Sequence, residues 1–146
     1  MELKIQCHFP GMTLPGRAHP DDAGMDLTAM AVECQRAGVF AFDTGISVAP
    51  ESGYYCEVVP RSSIVKSDFI QGNSVGVIDP SYRGRILVVL RYLGSEPDAG
   101  WSRASALVGT RIAQLLVRRL EPVRVVAVET LDETRRGSGG FGSSGH

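Results

Sequence analysis

Apolar residues along this chain recur at every second position, in short runs cut by glycine and proline. Leu3, Ile5, Cys7 and Phe9 alternate with Lys4, Gln6 and His8, and runs rich in Val, Ile, Leu and Tyr follow at residues 38–49, 53–59, 85–93, 111–118 and 123–129. A period of two turns one side of each run to a core and the other to solvent, which predicts β-strands. Only Ser102 to Leu107 has helical character, and it predicts one short helix. Many short strands between turn residues predict an all-β fold closing as a jelly-roll-like, distorted barrel. At 146 residues the chain has the length of one domain with a real core, and no repeat or linker interrupts it before the C-terminal tail.

Within this pattern, Gly76-Val77-Ile78-Asp79-Pro80-Ser81-Tyr82-Arg83-Gly84 sets a carboxylate and a phenol three residues apart at a tight turn. Strand-like Ser74–Ile78 leads in and Ile86–Leu90 leads out, while Pro80 fixes φ and Gly84 permits a positive φ, so a defined hairpin-like loop is expected. Aspartate before proline often does no more than cap a turn. The alternative is an active-site acid, and the neighbouring segments favour it.

Pro60-Arg61-Ser62-Ser63 follows an apolar strand, so a guanidinium and two hydroxyls emerge together at a strand end, a combination suited to phosphate. In Gly109-Thr110-Arg111-Ile112-Ala113-Gln114-Leu115-Leu116, alternation places Arg111, Ala113 and Leu115 on one side and Ile112, Gln114 and Leu116 on the other. Gln114 therefore shares a face with apolar neighbours and needs a partner, because a buried, unpaired amide costs about 1–3 kcal/mol. Asp22-Ala23-Gly24-Met25-Asp26-Leu27 is a small-residue turn with an acid in an apolar setting. The last eleven residues, Arg136 to His146, hold five glycines around a single aromatic, Phe141. Such a tail cannot fold alone, and its composition also suits a plain linker. A linker has no use for Arg136 or Phe141, whereas an arm closing over a ligand needs a guanidinium for phosphate and a ring for a flat base. The chain accordingly divides into an all-β core at 1–134 and a flexible Gly-rich arm at 135–146.

Charge narrows the ligand. A net charge of −1 leaves no electrostatic footprint for a nucleic acid duplex. The cations gather instead at the motifs, as Arg61, Lys66, Arg83, Arg85, Arg111 and Arg136, which suits a compact polyanion; Lys66, like Arg118 and Arg119, reads better as a solvated surface charge. Cys7, Cys34 and Cys56 are odd in number and widely spaced, so neither a disulfide framework nor a zinc site is expected; small core or half-buried thiols in a reducing cytoplasm are. His8, His19 and His146 are too scattered for a metal cluster, and neither a signal peptide nor an apolar stretch of membrane-spanning length is present in the sequence.

In order, these segments resemble the five motifs of the trimeric dUTPase family: Ala23–Leu27, Pro60–Ser63, Asn73–Asp79 through Gly84, Arg111–Leu115 and Arg136–Gly145. The resemblance implies the β-clip fold of that family, a homotrimer with active sites shared between subunits, and hydrolysis of dUTP to dUMP and pyrophosphate. That reaction limits uracil incorporation into DNA and supplies dUMP for thymidylate synthesis. By the same resemblance Asp79 is the catalytic base or water-orienting group. Tyr82 lies against the deoxyribose and excludes a 2′-hydroxyl, and the backbone from Asn73 through Gly76, Val77 and Ile78 reads uracil, with an added bond from the Asn73 side chain. Arg61, Ser62, Ser63, Gln114, Arg136, Gly142, Ser143 and Ser144 take the triphosphate, and Phe141 stacks on the base. Mg2+ rides on the triphosphate with no direct protein ligand, and Asp26 and Gln114 contact its waters from the outer sphere.

The chain departs from the family pattern in places. Arg85 stands where many members carry an acid or a neutral polar residue, and Thr110 replaces a frequent aspartate. The segment 94–109, holding the only tryptophan, Trp101, is longer than expected and reads as a surface-loop insertion, a lid or subunit contact being the alternative. The related dCTP deaminases share the fold, but their catalytic glutamate aligns with Val89, so deamination is not expected. A purely non-catalytic, regulatory trimer is the other alternative, and five intact motifs argue against it.

Overall fold

Residues 1–140, which a computed structural model describes, contain ten strands. They are β1 (Leu3–Cys7), β2 (Met25–Thr28), β3 (Ala31–Arg36), β4 (Val39–Asp43), β5 (Ile46–Pro50), β6 (Tyr54–Pro60), β7 (Phe69–Gln71), β8 (Gly76–Ile78), β9 (Leu87–Tyr92) and β10 (Arg111–Arg119). All pairings are antiparallel. They form three unclosed sheets, β1-β5, β2-β10-β6-β8 and β3-β4-β9-β7, so the all-β expectation holds while the barrel is interrupted between sheets.

The core forms where inward-facing residues of the sheets meet. Phe42 and Phe40 of β4, Val88 and Leu90 of β9, Cys56 and Val58 of β6 and Leu115 of β10 are buried together with Leu27, Ile46, Val48 and Ile86. Burial drives the pairing, and the period-two alternation of β6 and β9 is its imprint on the sequence. At the corner between β4 and β5, the Asp43 carboxylate accepts from the Gly45 N–H at 2.7 Å, and Gly45 takes a φ of 74°. A Cβ there would stand 2.8 Å from the Phe9 ring, so both the space and the backbone require glycine.

Several expectations change. The run 38–49 is two strands in different sheets, and β2, β3 and β7 were not anticipated because each is short or mostly exposed. The Asp79 turn is no hairpin: β8 pairs with β6 whereas β9 pairs with β4 and β7, so residues 79–86 carry the chain from one sheet to another. Cys7 and Cys34 are exposed, lying on strands at the rims of their sheets, and only Cys56 is in the core, where burial pushes its thiol pKa up. The run 123–129 forms no strand, and its valines face solvent. No helix among the described residues is long and apolar enough to cross a membrane.

The segment 94–109 is more than a surface loop. A 3-10 turn at Pro97–Ala99 leads into α1 (Gly100–Ser105), which lies over an aromatic cluster of Phe40, Phe69 and Tyr92. Ala104 is fully buried, and a Cβ on Gly100 would come within 3.3 Å of the Tyr92 ring and 3.4 Å of that of Phe40. Trp101 tilts against Phe40 with ring centroids 6.2 Å apart. The helix therefore plugs one end of the core. Trp101→Ala is expected to cost about 0.5–1.5 kcal/mol from the lost ring pair, a Tm lower by about 2–6 °C in thermal denaturation, with activity unchanged. Lost activity at an unchanged Tm would make the helix a lid.

Candidate functional site

The first group of functional side chains forms where β2, β10 and the end of β6 meet. Asp26 of β2 accepts from Arg61 Nε at 2.7 Å through Oδ1 and from an Arg111 terminal nitrogen at 3.0 Å through Oδ2. Its side chain is only 15% exposed, so both bonds gain from partial desolvation. One carboxylate between two guanidiniums leaves a net positive charge at this mouth. Arg111 reaches Asp26 because a bulge interrupts the β2–β10 ladder between Arg111 and Ala113; both Ile112 and Ala113 are buried there, which simple alternation does not foresee. Arg61 also approaches Ser63 Oγ at 3.4 Å, and Ser62 and Ser63 are exposed on the 3-10 turn Ser62–Lys66. A cavity of about 380 Å³ opens beside Asp26 and Arg111 under the Met12–Ala18 loop.

Gln114 pairs with Asp26 across the ladder and lays its side chain on Gly24. The amide is half-buried and finds no hydrogen-bond partner among the described residues, so the expected internal partner is not present and the amide remains available to a ligand. A Cβ on Gly24 would collide with the amide oxygen and stand 2.9 Å from Gln114 Cβ.

The second group follows β7. Ser74 holds a φ of 57° and the Val75 N–H donates to the Asn73 carbonyl at 2.5 Å, so the tip before β8 is tightly curled. Behind it lies a residue that sequence reasoning missed. Gln71, 7% exposed, donates from Nε2 to the Val58 carbonyl at 2.9 Å and to Asn73 Oδ1 at 3.1 Å, while its own Oε1 is buried without a partner among the described residues. An unpaired buried acceptor costs about 1–3 kcal/mol. The signal was readable, since Gln71 shares a strand face with buried Phe69.

Beyond β8, the Asp79 side chain makes no hydrogen bond among the described residues; the turn is closed by its backbone, with the Tyr82 N–H donating to the Asp79 carbonyl at 3.0 Å. Side-chain capping therefore does not explain this aspartate. Arg83 braces the loop by donating to the carbonyls of Pro80 and Tyr82 at 2.7 and 2.8 Å. The Tyr82 ring folds onto Gly84, where a Cβ would overlap the phenol, and its hydroxyl donates to the Arg85 carbonyl at 3.2 Å. Val77, Ile78, Asp79, Tyr82, Arg85 and Leu87 line a cavity of about 240 Å³. Arg85 itself pairs with Asp43 and lies over the Phe9 ring at 5.4 Å, which occupies the charge that departs from the family pattern.

The structure keeps these two groups apart within one chain. Ile78 faces Cys56 and Gly76 faces Val58, so Asp79 falls beside Tyr55 near one end of β6 while Arg61 leaves the other. At about 3.3 Å per strand residue, the six steps between them span about 20 Å. Along the flank, the Glu57 carboxyl is held below its usual range by Arg118 at 2.9 Å and then by the Tyr55 hydroxyl at 2.8 Å; the same Glu57 pushes the Tyr55 phenol up. Arg136 joins neither group, its Nε donating to the Gly139 carbonyl at 3.0 Å within its own turn. Phe141, Gly142, Ser143 and Ser144 lie outside the described residues. No cluster of three or more His, Cys, Asp or Glu side chains suited to a metal occurs among the described residues.

Comparison with known proteins fits this layout. A family model described as dUTPase matches residues 11–145. A deoxyuridine 5′-triphosphate nucleotidohydrolase of Wolinella succinogenes is 37% identical over 99% of this chain and 95% of its own length. One from Nocardia farcinica is 44% identical over 93% of this chain and 81% of its own. Among solved structures, a Staphylococcus bacteriophage 80alpha dUTPase with dUpNHpp superposes with a TM-score of 0.80 over 99% of each chain at 20% identity, a likeness of fold. The chain belongs to the dUTPase family.

Gly24→Ala tests the packing under Gln114. Rotation can move the amide but not the Gln114 Cβ, so the strands must part, at an expected cost of about 1–3 kcal/mol and a lower Tm. An unchanged Tm would mean that β2 yields freely.

Proposed function

We propose that this chain hydrolyses dUTP to dUMP and pyrophosphate, in sites assembled from neighbouring subunits of a homotrimer. The observation that carries the reading is the Asp79 carboxylate, exposed, without an internal partner, and set beside Tyr82 in a cavity lined by the β8 backbone. A carboxylate left free by its own fold can accept a proton from water. In the reaction, Asp79 takes a proton from a water aligned with the α-phosphorus. The water oxygen bonds to phosphorus, the bond to the α,β-bridging oxygen breaks, and pyrophosphate leaves with the electron pair. Arg61, Ser62, Ser63 and Gln114 hold the phosphates, and the net positive charge of the Asp26 group offsets the charge that develops on the leaving group.

The base binds along Gly76, Val77 and Ile78, where backbone amides and carbonyls complement uracil's edge. Tyr82, pinned on Gly84, closes the space beside C2′ of the sugar. The arm from residue 135 completes the site, with Arg136, Gly142, Ser143 and Ser144 on phosphate and Phe141 on uracil, while residues 1–134 form the catalytic core.

Mg2+ fits as an ion carried by the triphosphate, because both Asp26 oxygens already accept from guanidiniums and suit contact through water better than direct ligation. When bound, it neutralises phosphate charge. Asp26 and Gln114 orient its water shell.

Two observations support the trimer. The two groups stand too far apart in one chain to act on one nucleotide, so a second subunit must supply the missing half. Val123, Val125, Val126, Val128 and Leu131 are each more than 60% exposed, and an alternating apolar run of that kind calls for cover by a neighbouring copy. Two exposed free thiols suit the reducing cytoplasm.

Pyrophosphate release measured separately with dUTP, dCTP, dTTP and UTP should show efficient turnover of dUTP alone; ammonia release from dCTP, or no turnover of any of the four with Mg2+, would overturn the assignment. Asp79→Asn should lower the dUTP rate by about 10²–10⁴-fold while substrate still binds. Near-normal turnover would remove Asp79 from catalysis. Co-refolding Asp79→Asn with Arg61→Ala chains should restore roughly a quarter of the wild-type sites if the halves come from different subunits, whereas sites within one chain would recover no activity.

A further inference from the structure

We propose that Gln71 is a positioning residue for base selection, setting Asn73 to present a hydrogen-bond donor to the nucleobase and so to favour uracil over cytosine. The proposal rests on the reading of residues 73–78 as the base-binding segment and adds a residue outside it.

The Val58 carbonyl fixes the polarity of both amides. The Val58 carbonyl can only accept, so the Gln71 atom 2.9 Å from it must be the amide nitrogen. That nitrogen has a second hydrogen, directed to the Asn73 side chain at 3.1 Å, and the atom receiving it must be the Asn73 oxygen. The Asn73 nitrogen is thereby turned away from Gln71. It lies over the start of β8, 3.4 Å from where a Cβ on Gly76 would stand, at the strand that flanks the base-binding segment. A backbone carbonyl of β6 thus dictates, through two side-chain amides, the polarity offered to the base. Uracil presents an acceptor at C4 and satisfies the donor; cytosine presents an amino group there and meets donor with donor. The arrangement carries no net charge.

Burial makes the setting rigid. Gln71 is closed off from solvent between β6 and β9, facing Leu90 in the β7–β9 ladder, so its amide cannot rotate without abandoning the Val58 carbonyl, and an Asn73 amide turned over would set its nitrogen against the Gln71 nitrogen. Its Oε1 is left unpaired, so an apolar residue would fill the same space without that defect. The nitrogen is what gives Gln71 its use.

The test compares kcat/KM for dUTP and dCTP. Gln71→Leu and the more adaptable Gln71→Met should raise KM for dUTP several-fold with a smaller effect on kcat, and lower the dUTP/dCTP preference about tenfold, the scale of one tuned hydrogen bond. Asn73→Ala should lose the same preference, and adding Gln71→Leu to it should change the preference no further. Asn73→Asp is exposed and safe for folding; with Gln71 donating to one oxygen, the other becomes an acceptor, so relative activity on dCTP should rise. An unchanged dUTP/dCTP ratio in the Gln71 variants, with only Tm reduced, would make Gln71 merely structural and overturn the proposal, as would an Asn73→Asp enzyme with no gain toward dCTP. Failure of the underlying reading is distinct: wild-type protein would then not turn over dUTP.

Discussion

The site depends on the double pairing of β6. Tyr54–Pro60 is paired with β10 along its whole length and with β8 over its central residues Cys56–Val58, so one strand fixes both the Asp26 group and the segment that leads to Asp79. Its alternation sends Cys56 and Val58 into the core and Tyr55 and Glu57 outward, where Glu57 ties Arg118 of β10 to the same sheet. A strand held on both edges cannot slide by one residue without turning its core face to solvent. The separation of about 20 Å between Asp79 and Arg61 follows from strand rise and is not adjustable by loop movement. Under the proposed function, a site that uses both ends of such a spacer calls for a second chain, and the proposed trimer would then follow from the secondary structure of the monomer.

The readable part of the sequence was the part governed by local rules. Alternation located β1, β6, β9 and β10, and residue chemistry singled out candidates that the structure gathers into two groups, Asp26, Arg61 and Gln114 in one and Asp79 and Tyr82 in the other. Whatever depends on which strands meet was hidden. The Asp79 loop reads as a hairpin because apolar runs flank it, yet those runs belong to different sheets, a choice made by their partners. The bulge that swings Arg111 onto Asp26 leaves no mark in the alternation of Arg111–Leu116. Residues 123–129 have the pattern of a strand without a ladder partner among the described residues, because alternation marks a strand-like run and not what it pairs with. Segment 94–109 reads as an insertion because its polar start, Ser95 to Asp98, gives no sign of Gly100 and Ala104, which are what seal it onto the aromatic cluster.

On the proposed function, charge and neutrality are divided between the two ends of β6 as the two parts of a nucleotide would require. A triphosphate is recognised by total charge, so flexible guanidiniums serve, and their mutual repulsion is relieved by placing Asp26 between them. Without that carboxylate, two partly desolvated cations would face each other before any substrate arrived, and each would lose its orientation. Nucleobases present no net charge, and uracil differs from cytosine in the direction of the hydrogen bonds at N3 and C4. A side-chain amide can make that distinction only if its donor and acceptor cannot exchange places. An exposed amide alone fails, because rotating it by half a turn inverts its polarity. Anchoring it to a buried second amide, itself fixed by a main-chain carbonyl, removes that freedom, and the curled tip at Ser74 limits how far the backbone can accommodate the wrong base. The unpaired Gln71 oxygen is then the stability cost of a fixed polarity, carried in the core at a distance from the reacting phosphate.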